Sequence, residues 1–134
     1  MNKFAIGTTD FGIGKIEFKI DKSKSIISEL VIKGSQIIFD KITEDKDGEW
    51  CWALNPPELY FREVPYRFDN NIIKIMVDEN FISEYEVGLC FMEHNDFIGE
   101  VSVANDTNIK INGTVSFMGN EMDLVIEVNL LDYQ

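Results

Sequence analysis

The sequence predicts a mainly β fold, a single-domain antiparallel sandwich or barrel of about ten strands with one or two short helices. Apolar residues alternate with polar ones over most of the chain, and no long segment has the 3.6-residue period of a helix. Turn-forming residues separate the alternating segments at short intervals. The 134 residues, of which 45% are hydrophobic and 12% aromatic, can form one core, so we expect one domain over residues 1–134.

Six strands are expected in the first half of the chain, where polar turns at 21–24 and 47–48 interrupt the alternation. Each expected strand is a short run that repeats the alternation of apolar and polar side chains less cleanly than the second half of the chain does. These runs lie near residues 3–7, 13–20, 26–33, 36–42, 49–54 and 71–77.

Two short helices are expected between the strands. Asn55-Pro56-Pro57 interrupts the strand pattern because proline cannot donate a hydrogen bond to a ladder. Residues 57–61 are therefore predicted to form a helix capped by Asn55. Residues 78–84 are the second candidate, since an acidic residue such as Asp78 favours a first helical turn.

The second half predicts a meander of five strands over residues 86–131. Asn112-Gly113 is expected to form a hairpin turn with a bulge, because glycine readily adopts the left-handed conformation that this turn needs. Gly119-Asn120 is expected to form a two-residue turn that pairs Phe117 with Met122. Both turns would keep the apolar residues of neighbouring strands on one face.

The acidic residues are concentrated in the same half. The formal net charge of the chain is −12, and residues 76–134 hold twelve Asp and Glu against one basic residue, Lys110. The electrostatic field of so many carboxylates attracts cationic partners and repels nucleic acid and anionic membranes. A charged coat that serves only solubility is the alternative, although mixed charges would serve that purpose as well.

No motif predicts catalysis, and we expect neither an enzyme, nor a metal site, nor a cofactor. Residues 43–49 lack two of the ligands that an EF-hand loop requires. His94 is the only histidine and is expected to be solvated in a hairpin loop, without the further ligands or nucleophile that zinc or triad chemistry needs. Cys51 and Cys90 have no CxxC spacing and are expected to be reduced and buried.

Residues 50–68 contain both tryptophans, both arginines and all three prolines. Trp, Tyr and Arg often anchor protein interfaces, and prolines reduce the entropy that an interface loop loses on binding. The other interpretation is that the aromatic residues cap the β core while the arginines pair with nearby carboxylates. The first interpretation makes this segment part of a binding site, and the second makes it structural.

The candidate partner-binding residues combine this segment with carboxylates of the acidic half. Several of the carboxylates occupy strand positions that the alternation places on the outward face. No catalytic or metal-binding residue is among them. The candidates are Tyr60, Arg62, Tyr66, Glu79, Glu84, Glu86, Asp96, Glu100, Asp123 and Glu127.

In its size, its acidity and its aromatic segment at residues 50–68, the chain resembles the small acidic cytoplasmic immunity proteins of bacterial toxin/immunity systems. The resemblance implies a protein that binds a cognate toxin domain, often a basic nuclease, and blocks its active site. Charges interrupt every long apolar stretch, which predicts a soluble, cytoplasmic protein without a membrane partner. The alternative function is that of a lipocalin-like β-barrel with a small apolar ligand, for which the length and strand number are suitable.

Overall fold

The protein is an antiparallel two-sheet sandwich, as the computed structural model shows for residues 2–91, 94–117 and 119–133. Two helices and one 3-10 helix, Leu130–Tyr133, accompany the strands. The elements in chain order are β1 (Lys3–Ile6), β2 (Thr9–Asp10), β3 (Lys15–Asp21), β4 (Ile26–Lys33), α1 (Gln36–Thr43), β5 (Glu58–Pro65), β6 (Arg67–Asp69), β7 (Ile72–Val77), α2 (Glu79–Glu84), β8 (Glu86–Cys90), β9 (His94–Asn95), β10 (Phe97–Ala104), β11 (Asn108–Phe117) and β12 (Asn120–Asn129).

One sheet has seven strands in the order β2-β1-β12-β11-β10-β7-β6, and the other has five in the order β3-β4-β5-β8-β9. All pairs of neighbouring strands are antiparallel. The inward side chains of both sheets form one apolar cluster, and no polar or charged side chain of the described residues is buried. Each sheet ends in edge strands, so the predicted fold class is confirmed in its sandwich form.

Residues 36–42 were expected to form a strand, but they form helix α1. The Ser35 hydroxyl caps the helix by accepting a hydrogen bond from the Ile38 backbone N–H at 3.3 Å. Phe39 is buried, whereas Ile37 is 72% exposed. A short apolar run is compatible with either structure, and here the N-cap serine favours the helix.

The strand predicted before the prolines and the helix predicted at them were both wrong. Residues 49–54 form turns and not a strand, and residues 57–61 lead into β5 instead of a helix. In β5, Leu59 pairs with Ile32 of β4 on one side and with Leu89 of β8 on the other. Strand β5 is paired with a strand on each side, so more of its backbone N–H and C=O groups are hydrogen-bonded than in a single helical turn. This outweighs the helix that the prolines favour locally.

Helix α2 is confirmed, and Asp78, which was expected in its first turn, is the N-cap residue before Glu79. The Asp78 carboxylate accepts a hydrogen bond from the Phe81 backbone N–H at 2.9 Å.

The two cysteines are free, as predicted, but both are exposed. Cys51 lies in the turns that replace the expected strand, and Cys90 alternates with the inward-facing Leu89 on β8. The prediction that the cysteines are buried was therefore wrong.

Asn112-Gly113 does not form a turn, because β11 continues without interruption through it and places Gly113 directly opposite Gly99 of β10. A Cβ atom on Gly113 would collide with the carbonyl oxygen of Ile98 and lie 2.6 Å from the Cε1 atom of the Phe97 ring. Gly113 thus permits a close approach of two strands beneath an aromatic ring, which is another established use of glycine in sheets.

The expected five-strand meander is divided between the two sheets, because β8 pairs with β5 while β10, β11 and β12 are adjacent in the other sheet. In the hairpin between β11 and β12, Phe117 pairs with Asn120 and Val115 with Met122. This register differs by two residues from the expected one, so the same side chains still face inward. Alternation specifies the face of a strand, but a two-residue change of register leaves that face unchanged.

We predict that Gly113→Ala lowers the free energy of unfolding by about 1–3 kcal/mol, because the methyl group would collide with the Ile98 carbonyl oxygen and overpack the Phe97 ring. Chemical denaturation monitored by tryptophan fluorescence measures the change. The matched control is Ser116→Ala on the exposed face of the same strand, with an expected change within about 0.5 kcal/mol. Equal losses for the two variants would contradict the prediction.

Candidate functional site

The ten candidate residues do not form one surface. They are divided among the outer faces of the two sheets, the helix that connects them and a groove formed by loops. Because the core lies between the two outer faces, the acidic meander does not present a single binding surface. Tyr60, Arg62 and Glu86 lie on the five-stranded sheet, Asp96 follows β9, Glu100, Asp123 and Glu127 lie on the seven-stranded sheet, Glu79 and Glu84 belong to α2, and Tyr66 lines the groove.

Arg62 is at the centre of the group on the five-stranded sheet. It lies directly opposite Glu86 in the β5–β8 ladder, and its Nη1 donates a hydrogen bond to the Glu86 carboxylate at 2.7 Å. This bond raises the pKa of Arg62. The guanidinium carbon also lies 4.9 Å from the centroid of the Tyr60 ring, a cation–π contact. Partial burial and then the Glu86 charge raise the pKa of Tyr60.

A pair of carboxyl groups extends this group across β3 and β4. Glu29 lies opposite Arg62, and its side chain is hydrogen-bonded to that of Glu17. The shared hydrogen bond raises the pKa of Glu29. The same bond, together with Lys15 at 3.2 Å, lowers the pKa of Glu17. We call the side chains of Glu17, Glu29, Tyr60, Arg62 and Glu86 the Arg62 cluster.

Sequence reasoning missed Glu17 and Glu29. Alternation indicates that both face outward, but only the register of β3 on β4 brings them together. The signal in the sequence was the β3–β4 hairpin itself, whose turn at 21–24 limits the possible registers. The Arg62 cluster therefore contains three predicted residues and two that the strand pairing adds.

The connection between β7 and β8 carries two of the remaining acidic candidates, Glu79 and Glu84. It passes from the seven-stranded to the five-stranded sheet through α2, with Asp78 as the cap and Glu79 and Glu84 exposed. It ends at Glu86 in the Arg62 cluster, and no lysine or arginine occurs in the sequence between Lys74 and Lys110. We call Asp78, Glu79, Glu84 and Glu86 the acidic edge.

The two tryptophans cap the hydrophobic core, as the second interpretation of residues 50–68 predicted. Trp50 is buried, and its indole N–H donates a hydrogen bond to the Thr9 hydroxyl at 2.8 Å. The ring of Trp50 lies 5.4 Å from that of Phe91 in a stacked arrangement and 5.3 Å from that of Phe11 in an edge arrangement. The buried indole of Trp50 is thus not an interface residue.

Tyr66 lies apart from the Arg62 cluster, in a groove of about 520 Å³ that several turns enclose. An ion pair between Lys22 and Asp106, 2.9 Å long, forms part of the wall. Phe68 also lines the groove and is 62% exposed. The structure therefore separates Tyr66 from the other aromatic candidate, Tyr60.

No group of three or more His, Cys, Asp or Glu side chains in the described part of the chain is arranged to hold a metal ion. The backbone of His94 pairs with Cys90 in the β8–β9 ladder, while the prediction about the His94 side chain lies outside the described residues. Within the ranges that the structure describes, we find no helix of sufficient length and apolar character to span a membrane.

Comparisons with protein-family models, with curated proteins and with solved structures found no significant match to this chain. Its binding properties must therefore be inferred from its own side chains. The acidic edge and the Arg62 cluster share Glu86 and together contain five of the ten candidate residues. Nothing in this group has the arrangement of a nucleophile held against a base.

We predict that Glu29→Gln makes the stability less dependent on pH. The proton shared with Glu17 raises the pKa of Glu29, so its stabilising effect is present at low pH and is lost as the pH rises through that raised pKa. The pKa of Glu17 is lowered, so its ionised form stabilises the fold. This stabilisation is lost only when the pH falls through that lowered pKa. The amide can donate the same hydrogen bond to Glu17 at any pH.

Urea denaturation tests this prediction. The variant should match the original protein near about pH 4 and be more stable than it near about pH 7, where both glutamates would otherwise be ionised. Glu58→Gln, on an outward position of the same sheet, is the control and should leave the pH dependence unchanged. The same pH profile for Glu29→Gln and the original protein would refute the role of the shared proton.

Proposed function

We propose that the protein is a non-enzymatic binding protein that inhibits a cationic protein partner, in the manner of a bacterial immunity protein acting on its cognate toxin domain. The observation that supports this most is the acidic edge, where exposed Glu79 and Glu84 lead to Glu86 within a stretch free of basic residues. Carboxylates in this arrangement attract a basic surface and accelerate the encounter with it.

Besides charges that attract the partner, an interface needs side chains that bind strongly and lose little conformational entropy on binding. The Arg62 cluster supplies such side chains. Tyr and Arg are the residue types that contribute most to binding energy. Arg62 is already held by Glu86 at 2.7 Å and by the Tyr60 ring at 4.9 Å, so little side-chain freedom remains to be lost. We propose that Tyr60 and Arg62 contact the partner while the acidic edge steers it.

A cytoplasmic site of action belongs to the same proposal, because the toxin domains in question act inside cells. The alternative, a lipocalin-like protein with a small apolar ligand, has less support. Such a ligand requires a barrel with space inside, whereas both sheets here have edge strands and their inward side chains are packed into one cluster.

We expect capture on the immobilised protein, from a lysate of the native host at low salt, to recover a basic protein. The purified partner should lose its own activity when one equivalent of this protein is added. The association rate should fall as salt is added, because steering by exposed charges is screened within about 10 Å at 0.1 M ionic strength.

The double variant Glu79→Lys/Glu84→Lys tests the acidic edge with the purified partner. We expect association at least about tenfold slower, since exposed interface charges act mainly on the association rate. Glu86 is left unchanged because it orients Arg62. The matched control is Glu121→Lys/Asp123→Lys on β12, which changes the net charge equally on the seven-stranded sheet. Equal slowing by both double variants would indicate a general charge effect and contradict the proposed surface.

A further inference from the structure

The outer face of the seven-stranded sheet carries a row of basic side chains, although the protein has a net charge of −12. Lys110 of β11, Ser102 of β10, Lys74 of β7 and Arg67 of β6 are successive cross-strand partners. At the usual distance between neighbouring strands, this basic row extends over about 14 Å. Residues that are far apart in the sequence are thereby brought into one line.

The basic row contains a pair of like charges that the protein does not neutralise fully. Arg67 and Lys74 are directly opposite each other, an arrangement that destabilises a sheet. Asp69 lies 3.7 Å from Lys74, and both side chains are exposed. Among the described residues, neither Arg67 nor Lys110 forms an ion pair within 4.0 Å, although Glu127 of β12 is the cross-strand neighbour of Lys110 on its other side. An anion from outside the chain would relieve this repulsion.

The same side chains line a groove of about 240 Å³. Ser102 and Asn112 add a hydroxyl and an amide that can donate hydrogen bonds, while Glu100 is the one carboxylate in the lining. A guanidinium fork beside ammonium groups is a donor set that suits phosphate groups. The small volume of the groove disfavours a long polyanion such as nucleic acid.

We propose that this groove binds a small anion carrying two or more phosphate groups. One phosphate lies between Arg67 and Lys74 and compensates their repulsion, and the other reaches across Ser102 to Lys110. The site lies on the opposite face of the sandwich from the Arg62 cluster. It is therefore independent of the proposed inhibitor function, and a failure of either proposal leaves the other unaffected.

Calorimetric titration of the full chain with orthophosphate, pyrophosphate and tripolyphosphate at low ionic strength tests the site. We expect affinity to increase in that order, with one tripolyphosphate bound per chain and a Kd below about 1 mM. Lys74→Gln and Lys110→Gln should each weaken tripolyphosphate binding at least about tenfold. Lys3→Gln is the control on the same sheet face, opposite Glu127, and should have no effect.

Three results of the calorimetric titrations would overturn the proposal. They are the absence of saturable tripolyphosphate binding, equal affinity for orthophosphate and tripolyphosphate, and an equal loss of binding in Lys3→Gln. A short DNA duplex that binds as tightly through the same side chains would also overturn it, because the site would then accommodate a long polyanion.

Arg67→Glu separates binding from folding. The substitution converts the like-charged pair with Lys74 into an opposite-charged pair, so the ligand-free variant should melt about 1–4 °C higher than the original protein. The same variant should lose tripolyphosphate binding. A lower melting temperature, or retained binding, would show that the repulsion between Arg67 and Lys74 is not maintained for an anion.

Discussion

The close approach of Gly99 and Gly113 is the constraint on which the seven-stranded sheet depends. These residues are directly opposite in the ladder between β10 and β11, and the Phe97 ring covers the space that a side chain on Gly113 would need. Strand β11 runs through this contact without interruption and is ten residues long. Strand β12 pairs along its whole length with β11, and β1 attaches to β12 in turn. A side chain at Gly113 would disturb this series of strands at its centre.

The sequence predicts which face of a strand is buried better than it predicts which strands pair with each other. The alternation of Leu124, Ile126 and Val128 correctly indicates the buried face of β12, and Asp78 correctly marks the start of α2. The same local logic fails at residues 57–61, because the two flanking strands of the five-stranded sheet override a helix-like signal. Local patterns report the preference of a segment, whereas pairing between distant segments decides the outcome when that preference is weak.

The candidate site was harder to predict because a charge excess along the chain is not the same as a charged surface. Residues 76–134 are strongly acidic, yet in the folded protein Lys74 and Arg67 of the first half join Lys110 on one face. The carboxylate of Glu100 therefore faces basic neighbours. Glu79 and Glu84 of the acidic edge escape this mixing because α2 connects the two sheets and does not lie within either one, whereas Glu86 on β8 is paired with Arg62.

The pairing of the first strand with the last has a consequence for synthesis on the ribosome. Ile6 of β1 pairs with Leu124 of β12, and the Asn2 side chain accepts a hydrogen bond from the Asn129 backbone N–H at 2.7 Å. At about 5–20 residues per second, the ribosome needs roughly 6–24 s to make the chain between these partners. The hairpin of β3 and β4 can close early, but β1 must wait with Phe4 and Ile6 uncovered. During that interval the nascent chain is a natural substrate for a chaperone.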